Sequence, residues 1–176
     1  QRRLERNWIL YDVGNSAFTL LISTIMPIYF NYLAGQGGVD ATTATAYWGY
    51  AASIVTLCVA IISPILGTLS DFSGYKRPIF MFFACAGVIG CAALGIPMPW
   101  LVFLVVFIVT KIFYSASLVF YDAMLVDVTT HDRTDDVSSK GYAWGYIGSC
   151  IPFLVSIAIV LLTDLEYAVS IPIALI

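Results

Sequence analysis

Three ionisable side chains fall where a strongly apolar chain should carry none: Asp12, Lys111 and Asp122. Each lies inside an apolar stretch long enough to cross a bilayer. A charge at mid-membrane costs about 2.5–3.5 kcal/mol on insertion scales, so it meets a partner or a water-filled path. Asp12, Asn15, Ser16, Thr19 and Ser23 recur at i, i+3, i+4, i+7 and i+11, which is one face of a helix. Lys111, Ser115 and Asp122 follow at i, i+4 and i+11 on a second helix, with Tyr114 and Tyr121 beside them. Two such faces suit the passage of a polar solute along a solvated path. Interhelical hydrogen bonding between small polar residues would account for the same pattern.

Lys111 lies eleven residues into its stretch, near mid-depth, and no acid in the chain lies at a comparable depth. Asp122 is about 16 Å further along the helix axis, too far to pair. Lys111 is therefore expected to meet a substrate carboxylate, an acid from outside this sequence, or the interface by snorkelling along a packed groove. Asp12 and Asp122 are candidate proton carriers. The competing reading is that Arg6 or Lys140 neutralises one of them, or that Asp12 is a first-turn acid favoured by the helix dipole.

Nothing in the chain supports bond-breaking chemistry. His131 is the lone histidine, so no histidine-based metal site can be assembled. HExxH, GxSxG and P-loop patterns are absent. Cys58, Cys85, Cys91 and Cys150 lie in apolar runs, form no CxxC pair, and read as small core hydrophobes. No enzyme activity, cofactor or metal is expected.

The elements that carry these residues follow from composition. Of the 176 residues, 60% are hydrophobic and 11% charged, with a mean hydropathy of +0.91. A soluble domain carries about a quarter charged residues. The chain is an all-α, polytopic integral membrane protein, and its net charge of −3 leaves no nucleic-acid footprint. Complete spans are predicted at about 8–34, 44–69, 78–97, 100–128 and 140–162, with an incomplete sixth over 167–176. The first apolar stretch is too long, and too interrupted by polar residues, for a cleavable signal peptide. A start at Gln1 and an end inside "YAVSIPIALI" lead us to expect a fragment of a longer chain.

Basic residues orient the spans. Arg2, Arg3 and Arg6 precede the first, Lys76 and Arg77 follow the second, and Arg133 and Lys140 follow the fourth. The odd-numbered connections carry no Lys or Arg, so the N-terminus is expected to be cytoplasmic, in a bacterial inner membrane or a vacuolar one. A weak repeat is also visible. "WGYAAS" (Trp48, Gly49) opens the second span and "WGYIGS" (Trp144, Gly145) the fifth, from opposite sides. An inverted 3+3 repeat predicts that arrangement. Simple close packing at the two glycines would also explain it.

The segment "GTLSDFSGYKRP" joins the second and third spans. Through Gly67, Asp71, Gly74, Lys76 and Arg77 it resembles the cytoplasmic-loop signature of the major facilitator superfamily. "RNWILYDVGNSAF", "FYDAMLVDV" and "GYAWGYIG" are similar to the family of fungal vacuolar amino-acid effluxers linked to autophagy. Members commonly read Tyr-Asp-Trp-Ala-Asn-Ser in the first helix. This chain keeps Tyr11, Asp12, Asn15 and Ser16 but carries Val13 and Gly14.

The resemblance covers essentially the whole chain. It implies the N-terminal six-helix bundle of a roughly twelve-helix transporter, whose first and fourth helices line a central cavity. It further implies secondary transport of a small solute, amino acids leading, by alternating access against a C-terminal half absent here. A cytoplasmic cluster of Asp71, Arg77 and Asp127 is expected to latch the helices. The principal alternative is a non-transporting scaffold or receptor on the same bundle, which would gain little from a mid-membrane lysine.

Overall fold

A computed structural model describes residues 2–72 and 74–162. The path runs through α1 (Arg2–Gln36), α2 (Ala41–Ser70), α3 (Lys76–Leu94), α4 (Trp100–Ala123), a single turn α5 (Leu125–Val128), a 3₁₀ turn (His131–Arg133) and α6 (Thr134–Leu162). No strand occurs among the described residues. The five long helices are each long and apolar enough to cross a membrane. The incomplete sixth span expected at 167–176 lies outside the described residues.

Local chemistry sets the boundaries. Asp40 caps α2, its carboxylate accepting from the Thr43 N–H at 2.9 Å. That backbone donor holds the Asp40 carboxyl below the usual carboxylate range. Gly74 has φ +93°, so the α2–α3 connection turns through the left-handed region that glycine enters without strain. A Cβ on Gly67 would meet nothing within 4 Å, so among the described residues this glycine serves no close approach. Four expected boundaries shift. α1 begins at Arg2 rather than near 8, so Asp12 stands well inside the helix and is not a first-turn acid. α3 ends at Leu94 rather than 97, because Pro97 biases Ile96 away from helix. The fourth span is not continuous to 128: α4 stops at Ala123, and Met124 separates it from α5. The fifth helix starts at Thr134 rather than near 140, with Asp135 and Asp136 in its first turn, where the helix dipole favours acids. Pro27, Pro64 and Pro152 sit inside long helices. Membrane helices tolerate such prolines when neighbours re-satisfy the freed carbonyls.

Packing is pairwise. α1 lies mainly along α6, and α4 lies between α2 and α3. One core brings Met26, Tyr29 and Phe30 of α1 together with Ala51 of α2 and Phe103 and Phe107 of α4. Trp48 seals it, its ring centroid 4.3 Å from Phe107 and 5.5 Å from Phe30. A smaller cluster joins Leu66, Ala116 and Phe120. The outer row of α2, through Tyr50, Ile54, Leu57, Ile61 and Ile65, is exposed and apolar, as a lipid-facing surface must be.

The two Trp-Gly pairs sit in unlike surroundings. A Cβ on Gly145 would lie 2.7 Å from Ser16 Oγ and 2.8 Å from Asp12 Oδ2, so α6 touches α1 there through bare backbone. A Cβ on Gly49 would meet nothing. Trp48 packs inward, whereas Trp144 is exposed. Helix pairing nonetheless keeps an exchange relation: α1 packs on α6 as α4 packs on α2.

Candidate functional site

The polar face of α1 meets α4 through a ladder of aromatic and hydroxyl groups. Trp8 stacks on Tyr121 with centroids 4.5 Å apart and planes 8° from parallel. The Trp8 indole N–H donates to the Tyr121 carbonyl at 3.3 Å, and the Tyr121 hydroxyl donates to the Trp8 carbonyl at 3.0 Å. One turn on, the Tyr11 hydroxyl lies 3.4 Å from Ser117 Oγ. Further along, the Tyr114 hydroxyl is 2.7 Å from Thr19 Oγ1 and donates to the Asn15 carbonyl at 3.3 Å, with Phe18 edge-on to its ring. Tyr114 and Tyr121 are therefore buried between helices. Interhelical hydrogen bonds thus engage the hydroxyls of both tyrosines and of Thr19, with Thr19 itself exposed.

Lys111 stands at the far end of this ladder. Its ammonium sits 4.7 Å from the centroid of the Tyr114 ring, a cation–π contact. No carboxylate lies within ion-pair distance of it among the described residues. Asn15 lies against the Asp12 carboxylate, and its own Oδ1 is buried without a hydrogen bond among the described residues. Asp12 is half-buried and Asp122 exposed, and the charge of Asp12 reaches Asp122. Neither is neutralised by Arg6 or Lys140: Lys140 pairs with Asp136 at 2.8 Å, and Arg6 forms no ion pair among the described residues. Ser115 is half-buried one turn from Lys111. Ser16, with Asp12, abuts Gly145.

At the end of the bundle where α1 begins, the expected cluster changes partner. Lys76, not Arg77, pairs with Asp127, at 2.8 Å, and also donates to the Ala123 carbonyl at 3.4 Å. Successive helical residues point about 100° apart. Lys76, 19% exposed at its side chain, reaches across to α4, while Arg77 turns outward. Asp71 and Arg77 line the same groove of about 500 Å³ without an ion pair among the described residues.

A second latch was not foreseen. Glu5, 5% exposed, accepts hydrogen bonds from Thr129 Oγ1 and from the Arg133 guanidinium, both at 3.0 Å. Arg133 also approaches Asp136 at 3.9 Å. The only sequence signal was an acid in the first turn of an arginine-rich segment. Its partners lie more than 120 positions away, in a connection that reads as a polar loop.

The profile of the family described as "Vacuole effluxer Atg22 like" matches residues 39–133. The chain belongs to the Atg22-like family. The matched segment holds Lys76, Lys111, Tyr114, Tyr121, Asp122 and Asp127. The chain is also 45% identical over 165 residues to the uncharacterized MFS-type transporter YxiO of Bacillus subtilis (strain 168). That alignment covers 92% of this chain and 39% of the relative, so the chain spans about two-fifths of the relative's length. No solved structure matches. With five helices able to cross a bilayer, this Atg22-like chain is an integral membrane protein of a transporter family.

Proposed function

We propose that this chain is the N-terminal bundle of a secondary active transporter that moves a small zwitterionic solute, with amino acids the leading class. The observation that carries the reading is Lys111. It is a mid-span cation held over an aromatic ring, without a carboxylate partner among the described residues. A substrate carboxylate would supply the missing charge, and the unpartnered Asn15 Oδ1 would accept from a substrate ammonium. Tyr114 touches both residues, its ring under the Lys111 ammonium and its hydroxyl on the Asn15 backbone carbonyl. The relative's naming as a transporter supports the class of function and leaves the solute open.

Alternating access would rock this bundle against the remaining half of the full-length protein. The exchange relation between the α1–α6 and α4–α2 pairings supports an inverted repeat behind that motion. The clustering of basic residues at the end where α1 begins supports a cytoplasmic N-terminus. Asp12 and Asp122, two neighbouring carboxylates without basic partners among the described residues, are the groups proposed to carry a coupled proton.

Uptake of labelled amino acids into proteoliposomes containing the full-length protein tests the reading. Saturable uptake is expected. Its absence across the amino acids would favour a scaffold or receptor. Asp12→Asn and Asp122→Asn should each alter the dependence of uptake on pH, and an unchanged profile in both would remove proton coupling from the account.

A further inference from the structure

Between the first turns of α1 and the start of α6 lies a cleft of about 530 Å³. Its rim carries Arg2, Arg6, Arg133 and Lys140, and its floor is apolar through Ile9, Val13 and Trp144. The acids around it are already engaged. Glu5 is held by Arg133 and Thr129, and Asp136 by Lys140. Arg2 and Arg6, one helical turn apart on the same face of α1, form no ion pair among the described residues. The rim therefore keeps uncompensated positive charge at the level where α1 passes from its polar first turns into its apolar stretch. Below it, Leu10 and Trp144 are 59% and 57% exposed, so the floor is open to a hydrocarbon chain.

We propose that this cleft holds an anionic phospholipid, its phosphate between Arg2 and Arg6 and the first part of one acyl chain along Ile9, Val13 and Trp144. Charge complementarity selects the headgroup, and the apolar floor selects a lipid over a free anion. A zwitterionic lipid would present the same phosphate but bring its own headgroup cation beside the two guanidinium groups, offsetting much of the attraction. The assignment concerns a face of the bundle other than the Lys111 site and stands apart from the transport reading.

The test uses native mass spectrometry of the full-length protein, titrated with phosphatidylglycerol or with phosphatidylcholine of the same acyl chains. Phosphatidylglycerol is expected to be retained in preference. The double variant Arg2→Gln, Arg6→Gln should weaken its binding by about 30-fold, from roughly fivefold per arginine at a membrane surface. Ile9→Trp, which fills the floor without changing charge, should weaken both lipids. Arg3→Gln removes the same charge outside the cleft lining and should change binding little. Equal retention of the two lipids, as expected if the rest of the chain covers the cleft, overturns the proposal. So does an equal loss in Arg3→Gln and Arg6→Gln, which would mean general surface attraction.

Discussion

Gly145→Ala gives the sharpest test of how the bundle is held together. The added methyl would begin 2.7 Å from Ser16 Oγ and 2.8 Å from Asp12 Oδ2, inside van der Waals contact on both. α1 and α6 must then separate or both side chains must turn away. Overpacking of this kind costs about 1–3 kcal/mol. Against it stands the gain from replacing a mid-helix glycine, about 0.5–1 kcal/mol, so the net loss is about 0–2.5 kcal/mol. Gly49→Ala meets nothing within 4 Å and should keep only the gain. Thermal unfolding of the full-length protein in one detergent, followed for both variants, reads the contrast. At about 2.1 cal/mol/K of unfolding entropy per residue, a protein of the relative's length shifts by about 1 °C per kcal/mol, so a mid-range separation of about 2 kcal/mol becomes about 2 °C. Gly145→Ala should melt below the parent and Gly49→Ala at or above it. Equal shifts, or the reverse order, would refute the close α1–α6 contact and restore equivalence to the two Trp-Gly pairs.

Two further outcomes follow from the same contacts. Glu5→Gln keeps the shape of the latch but weakens its charged hydrogen bonds to Thr129 and Arg133; a loss of about 1–3 kcal/mol is expected in unfolding of the full-length protein, with Glu5→Asp recovering part of it. Tyr114→Phe and Thr19→Val each remove one side of a 2.7 Å contact, so a double-mutant cycle should return a coupling of about 0.6 kcal/mol, the average for membrane hydrogen bonds, and additivity would contradict the contact.

The helices were legible because hydrophobic runs, turns and basic residues are local signals. Gly74 marks the turn between the second and third helices by its own chemistry, and it acts where its type suggests. Partner choice was less legible. Lys76 and Arg77 are adjacent and both basic, and which one meets Asp127 depends on the rotation of α3 against α4. Tyr114 and Tyr121 belong to a polar face in one dimension, yet the approach of α1 turns both hydroxyls into interhelical bonds. The Glu5–Arg133 pair spans most of the chain, and no spacing rule reaches across that distance. Lys111 was legible in type and depth. Its seat on Tyr114 depends on the two residues standing three apart on one helix, a spacing that brings side chains together.

The most direct test of the account is uptake by Lys111→Met and Lys111→Arg forms of the full-length protein in proteoliposomes, with thermal midpoints measured in parallel. Lys111→Met should fold and lose saturable uptake, and Lys111→Arg should retain part of it with a raised KM. An amine lacking the carboxylate should fail to compete for uptake by the parent protein. A folded Lys111→Met protein that transports with an unchanged KM would contradict the assignment of Lys111 to the substrate carboxylate.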